Sequence, residues 1–471
     1  MNVKKLFQFS IGPFGAAAIG IVILPFVAWF FSVEDVGRLT MLQIVLSLSI
    51  SLFSLEMHQA YVREYHEEAD KFSLLKVAAL PGLILTTFLS FILLVSPISI
   101  SRILFGIESE FLTVLLLVAV FSVLLNNFLA HVVRMQERGL VFSATQIAPK
   151  AFLLIFIILI FVLNLEAEFK WLMLMNTLAV FITFMIFALL TRDTWKPALL
   201  TKINVCLLKR MLSFSLPLVA GGLAFWGLTT MDRFFLRSLI GFEELGVYAM
   251  SVALASSVSV ISAIFSNLWH PIVYKWVKEG VDSNKVQSVI ESMLIVVAML
   301  WSLIGLFSWV LLYFLPPEYK AIEYLIVACA AMPLLYMLSE TTVVGIGLTR
   351  KTSFAMVASI VAFIVNGMLN YLLIPNFGAG GAALATLFSF FVFFTIRTEA
   401  SAWLWHSIPR IKIYVILIFY TLITSIMVLS KAEIVLFNIA WLVLGTLTLT
   451  LYKKRLFSSL IYLKTNFYKR S

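Results

Sequence analysis

The sequence predicts an all-α integral membrane protein of about fourteen transmembrane helices, built as two pseudo-symmetric six-helix lobes followed by two further helices. Three observations carry this expectation. The 471 residues are 62% hydrophobic and only 12% charged, with a mean hydropathy of +1.04; a soluble chain carries about a quarter charged residues, so the solvent here is a bilayer. Apolar runs of roughly twenty residues, the length that crosses the hydrocarbon, follow one another along the whole chain. The basic residues sort onto alternate connections, as they do beside the cytoplasmic face of a membrane.

The first run occupies 11–31, after the basic opening MNVKKLFQFS; it lacks a convincing cleavage site and reads as a retained span rather than a signal peptide. Further runs lie near 39–55, 74–98, 111–132, 142–163, 169–190, 211–231, 246–268, 290–315, 322–344, 354–374, 380–403, 413–429 and 434–452. Long continuous runs without alternation are helices, because a helix bonds its own backbone in lipid and barrel strands would alternate. With the amino terminus inside, the inner connections hold about 26 of the 34 Lys and Arg. The opposite set holds seven: Arg38, Arg102, Lys170, Arg233, Arg237, Lys320 and Lys431. Both termini are therefore expected in the cytoplasm, and intramembrane Lys150 completes the 34.

Two halves repeat. Glu34-Asp-Val-Gly37 and Glu243-Glu-Leu-Gly246 lie 209 residues apart, while RMQERGLVFSATQ and IGLTRKTSFAMVA align Arg138 with Arg350 at an offset of 212. Near-equal offsets separated by six spans describe a parallel duplication. The expected organisation is an amino-terminal lobe over 1–191, an amphipathic cytoplasmic linker over 192–210, a second lobe over 211–405, two more helices within 406–452 and a basic cytoplasmic tail over 453–471. The linker mixes Arg192, Lys196, Lys202, Lys209 and Arg210 with leucines, a pattern suited to the membrane surface.

Composition also excludes. A formal charge of +10 with this hydropathy does not describe a nucleic-acid binder, and the only cysteines, Cys206 and Cys329, form neither a disulfide framework nor a thiolate site. The five histidines lack metal-ligand spacing, no nucleotide-binding loop is present, and GAGGAA from Gly378 precedes a membrane helix and reads as close helix packing. No metal, cofactor or catalytic residue is expected. The short connections leave no room for an extramembrane catalytic domain, so the chain is not read as an enzyme.

Ionisable and polar residues within spans are costly and are the natural site candidates. Lys150, beside Pro149, either snorkels or faces a cavity where it pairs with a phosphate. Asn127, His131 and Arg134 share one helix face, and Glu340 stands near the matching place in the second half. Buried hydrogen bonding between helices is the alternative role for His131 and Glu340. Asp232 and Arg233 close a span rich in glycine and polar residues, where an ion pair would gate access or anchor the span. Glu56, His58 and Arg63 follow the second span, and the repeat sets His270, Pro271 and Lys275 at the corresponding end of the eighth; these groups bind a head group or a proton, or only anchor the interface.

The segment FSLPLVAGGLAFWGLTTMDRFFLRSLIGFEELGVYAMSVALAS, with NYLLIPNFGAGGAALATLFS and FSVEDVGRLTMLQ, resembles the polysaccharide exporters of the multidrug/oligosaccharidyl-lipid/polysaccharide superfamily. The resemblance covers essentially the whole chain. It implies two six-helix lobes facing each other around a central cavity, and alternating access that carries an undecaprenyl-pyrophosphate-linked oligosaccharide out of the cytoplasmic leaflet of the bacterial inner membrane. By the matching motif it marks Asp232 and Arg233 as important. Membrane lipids and the polysaccharide polymerase machinery are the further partners it implies. Lipid II flippases of the superfamily tend to carry basic residues in the first span and drug/cation antiporters an acid there. Residues 11–31 contain no charge, which favours an anionic lipid-linked sugar over both.

Overall fold

The computed structural model describes residues 3–164, 166–280, 283–406, 408–431 and 434–452; the basic tail expected at 453–471 lies outside the described residues. Among the described residues there is no strand, and every apolar run has become helix. The first half comprises α1 (Val3–Phe30), α2 (Val33–Phe53), α3 (Met57–Glu64), α4 (Lys71–Val95), α5 (Ile100–Phe105), α6 (Glu110–Met135), α7 (Gly139–Val162), α8 (Phe169–Leu190) and α9 (Arg192–Leu200), and leads into the long α10 (Val205–Leu239). Then follow α11 (Phe242–Ala255), α12 (Val258–Lys278), α13 (Ser283–Phe307), α14 (Ile322–Cys329), α15 (Ala331–Thr342), α16 (Val344–Leu348), α17 (Ser353–Phe377), α18 (Ala379–Leu404), α19 (Ile411–Ser430) and α20 (Ile434–Leu451).

Among the described residues, eleven stretches are long and apolar enough to cross a bilayer, and α11 with α12, bent by 42°, makes a twelfth. One of the eleven, Ser353–Leu404, is 52 residues long. A straight helix of that length would span about 78 Å against a core of about 30 Å, so α17 and α18 are two crossings. The shorter apolar helix Phe437–Leu451 within α20 completes the expected fourteen. Leu94, Phe91, Ile155 and Leu189 stand exposed on the outer helix faces, a surface that water would not tolerate and lipid solvates.

Polar side chains stop and start the helices. Ser32 caps α2 by accepting from the Asp35 amide, Asp70 caps α4 through Phe72 and Ser73, and Ser109 caps α6 through Leu112. The GAGGAA stretch forms the α17–α18 hairpin. Gly378 takes φ +53°, and a Cβ built on Gly381 would stand 2.5 Å from the Leu373 carbonyl oxygen, so only glycine permits this approach. Glu244 accepts from the Ala379 amide at 2.8 Å and caps α18.

The chain divides into two compact units between Thr230 and Met231, inside α10. In the first unit the linker stretch is docked: the Lys76 ammonium donates to the carbonyls of Leu199 and Thr201 at 2.8 and 2.7 Å. Ala198, Leu207 and Met211 share a buried cluster with Met57, Leu74 and Leu124. In the second unit α19 and α20 pack against α13 around Trp301, Tyr420 and Trp441, with Ser302 and Tyr420 hydroxyls 2.8 Å apart.

Gly378→Ala forces an L side chain into the left-handed region and its Cβ to within 2.7 Å of the Glu244 carboxylate. The expected loss is about 1–2 kcal/mol, read as a lower midpoint in thermal unfolding of the purified protein.

Candidate functional site

In the first unit the site begins with a break in the backbone. After α2, Leu55 and Glu56 both adopt left-handed φ, +50° and +54°, which is costly for residues with side chains and turns the chain into α3. The break carries the Glu56 side chain inward. Its Oε2 accepts from Gln59 Nε2 at 2.7 Å and lies 3.5 Å from His58 Nε2, while its Oε1 faces Gly222 of α10, 2.9 Å from where a Cβ would stand. The His58 ring stacks on His131 of α6, centroids 4.7 Å apart.

On α6, Asn126 Oδ1, Asn127 Nδ2 and His131 Nδ1 are buried without a hydrogen-bond partner among the described residues. Buried polar atoms are nearly always paired, so these orphans are candidates for a polar ligand. The structure thus brings together Glu56, His58 and His131, with Asn127 one helical turn before His131 on α6. Arg134 is exposed at the end of α6, and Arg63 lies over the Phe214 ring at 4.4 Å. Lys150 sits on the α1–α7 pair, its ammonium against Gly20, 3.0 Å from where that residue's Cβ would stand. It forms no ion pair or hydrogen bond with the cluster among the described residues.

Several partners escaped the sequence reading. Arg210 bridges Glu64 at 2.7 Å and Glu68 at 3.1 Å, tying α3 to the start of α10, and Trp226 donates to Ser47 Oγ at 3.0 Å. The acidic run EYHEEAD and basic LLKR are visible in sequence, but 142 residues separate Arg210 from Glu68 and nothing local pairs them.

In the second unit Asp232 is almost wholly buried. Its Oδ1 accepts from the backbone amide of Arg233 at 2.8 Å, and its Oδ2 accepts from the Tyr248 hydroxyl and from Thr386 Oγ1 at 3.2 Å. Thr386 in turn accepts from Asn366, whose Oδ1 accepts from Asn370 at 2.8 Å. The direct Asp232–Arg233 ion pair expected from sequence is not formed. Adjacent residues on a helix point about 100° apart, and the carboxylate takes Tyr248 and Thr386 as its side-chain partners while the buried Nε of Arg233 has none.

Glu340 lies between Arg397 and His270. Its Oε1 accepts from both terminal nitrogens of Arg397 at 3.0 Å, and its Oε2 lies 2.8 Å from His270 Nε2. Arg397 also donates to Ser339 Oγ at 2.9 Å and lies over the Phe393 ring at 4.9 Å. His270 and Glu340, assigned from sequence to a gate and a cavity face, are direct partners. Arg397, inside the apolar run 380–403 and not on a connection, is buried in α18 at 8% exposure. The signal was its position, inside a run of apolar residues long enough to be a span.

A profile of the family described as "Polysaccharide biosynthesis protein" matches residues 3–275. The chain belongs to that family. No curated protein matches the chain. Among solved structures, the lipid II flippase MurJ in an inward closed conformation is similar at a TM-score of 0.66 and 13% identity, covering 97% of this chain and 100% of that one. A multidrug resistance MATE family transporter of the MOP superfamily, inward-facing, is similar at 0.54 and 15% identity, covering 86% of this chain and 96% of the other. A MOP superfamily transporter from Pyrococcus furiosus gives 0.50 and 16%, covering 85% and 96%. At these identities the likeness is one of fold: this family member has the all-helical fold of those transporters.

Burial holds the His58 imidazole below its ordinary pKa, opposed by the nearby Glu56 carboxylate. A neutral buried histidine binds its proton more readily when unfolded, so the stability it contributes is present above about pH 6.5 and falls as pH drops below it. Thermal midpoints of the purified protein are expected to fall between about pH 7 and about pH 5, and His58→Gln is expected to flatten that slope.

Proposed function

We propose that this protein is a flippase that moves an undecaprenyl-pyrophosphate-linked oligosaccharide repeat unit from the cytoplasmic to the outer leaflet of the bacterial inner membrane by alternating access. The product serves surface polysaccharide synthesis, whether O-antigen, capsule or exopolysaccharide. The observation that carries this reading is the family match over residues 3–275 on a chain whose length is nearly all membrane helix. Among the described residues nearly the whole length is membrane helix, which favours moving lipid-linked material over forming glycosidic bonds.

The chemistry of such a cargo sets requirements that this chain can meet. A pyrophosphate needs cations and donors in place of water, the sugars need hydrogen-bonding groups, and the polyprenyl tail stays in lipid. Lys150 and Arg134 would supply positive charge. The unpartnered Asn127 and His131 would supply hydrogen bonds to sugar or phosphate oxygens. The left-handed Leu55–Glu56 break, held by Gln59 and His58, would be the conformational switch beside them, with Arg63 anchoring α3 on Phe214. On this reading both termini would lie in the cytoplasm, which the basic bias of the inner connections supports.

The alternative, a drug/cation antiporter, rests on the shared fold alone. The two part in a deletion strain. Loss of surface polysaccharide with complete lipid-linked repeat units trapped on the cytoplasmic leaflet is expected; normal surface glycan with new sensitivity to cationic drugs would transfer the assignment to efflux.

Lys150→Ala, inserted normally in the membrane, is expected to lower export at least about tenfold, the equivalent of about 1.4 kcal/mol from one charge-assisted contact. Wild-type levels of surface glycan in that strain would remove Lys150 from the path of the pyrophosphate.

A further inference from the structure

The triad of the second unit does chemistry that an ordinary helix-to-helix contact does not require. Glu340 is 6% exposed and Arg397 8%, and both lie in spans. Together they are electrically balanced and would suffice to join α15 to α18. His270 is superfluous to that balance, yet its Nε2 is 2.8 Å from the free oxygen of the carboxylate. A carboxylate only accepts, so the neutral imidazole carries its proton on Nε2 and presents Nδ1 as a bare acceptor. That Nδ1 is buried and has no partner, as is the Nε of Arg397.

We propose that His270, Glu340 and Arg397 form a proton-binding site, with His270 Nδ1 as the atom that takes the proton, and that this proton is coupled to transport. Uptake converts imidazole to imidazolium without breaking a contact, because Glu340 already offers one oxygen to each cation: Oε1 to Arg397 and Oε2 to His270. The group passes from net neutral to net +1, and the link between α12 and α15 changes from a neutral hydrogen bond to an ion pair. The coupling ion is a proton rather than an alkali cation, since the Arg397 guanidinium already holds the seat on Glu340 that a metal ion would need.

The surroundings fit a latch. The charged and titratable groups near His270 are Glu340 and Tyr336 on α15, Arg397 on α18 and Tyr274 on α12 itself. Helix α16 carries none, and α13, packed against α15, carries Lys285 and Glu291. Pro271 follows His270 within α12 and removes one rung of that helix's hydrogen bonding, so the protonated residue sits at the helix's weak point. The repeat offers an internal comparison. His58 stands 212 residues before His270, the offset that relates Arg138 to Arg350, and it also meets the corresponding helix of its own unit, at His131 on α6. There the histidine meets a second imidazole and, at 3.5 Å, the Glu56 carboxylate, which has no arginine partner among the described residues.

The inference rests on the flippase reading for what the proton drives, not for where it binds, and the test separates the two. Protons taken up by the full purified chain in lipid nanodiscs are counted between about pH 8 and about pH 5, the range in which histidine changes charge. His270→Gln is expected to take up one proton fewer per chain than wild type. Glu340→Gln is expected to lose the same proton, because an imidazolium beside an unneutralised Arg397 is repelled. If Glu340→Gln does not fold, the partly exposed His270→Gln decides alone; equal counts in it and wild type overturn the site. In cells, collapsing the pH gradient at constant membrane potential is expected to slow wild-type export and leave the residual export of His270→Gln unchanged. Wild-type export indifferent to the gradient overturns the coupling. Failure of the flippase reading shows instead as normal surface glycan in the deletion strain, and leaves the proton count as it is.

Discussion

A peptide group in hydrocarbon has nothing to bond except its own chain, and the rest of this structure depends on that constraint. It forces every apolar run into helix, makes each helix about as long as the bilayer is thick, and confines irregular backbone to the connections. Where the chain departs from helix, something local compensates. Ser32, Asp70 and Ser109 satisfy helix starts, Glu244 satisfies the start of α18, and Gly378 accepts a turn that other residues would resist.

The same low-dielectric surroundings explain why the ionisable groups are few and grouped. An isolated charge inside a span costs several kcal/mol, so a buried carboxylate survives only with partners around it. Asp232 recruits a hydroxyl pair and a backbone amide; Glu340 recruits a guanidinium and an imidazole. These are two solutions to one problem, and they differ in what they can do. The Asp232 network ties α10 to α11 and α18 through Tyr248 and Thr386 and extends to α17 through Asn366 and Asn370. The Glu340 triad adds an imidazole to a pair that is already balanced in charge, which the Asp232 network does not.

The first unit shows the complementary economy. Its cluster around Glu56 leaves polar atoms of Asn126, Asn127 and His131 without partners, an arrangement that favours an incoming polar ligand over a closed core. The backbone break at Leu55–Glu56 keeps this cluster away from a regular helix, where its side chains would point in succession around the axis. His58 and His270, 212 residues apart, have different neighbours, His131 in the first unit and Glu340 in the second.

Class and crossings were legible in the sequence, because hydropathy over twenty residues is a linear property of the chain. Ionisable groups in apolar runs, such as Glu340, announce themselves in the same way. Pairing was not legible. The sequence sets Asp232 beside Arg233, whereas the carboxylate's side-chain partners are Tyr248 and Thr386; and nothing local joins Arg397 to Glu340, 57 residues away. Left to itself the sequence determines which segments enter the membrane and which charges must find a partner there. The choice of partner belongs to the tertiary structure, because it is made across helices, where side-chain direction and interhelical distance decide which cation reaches which carboxylate.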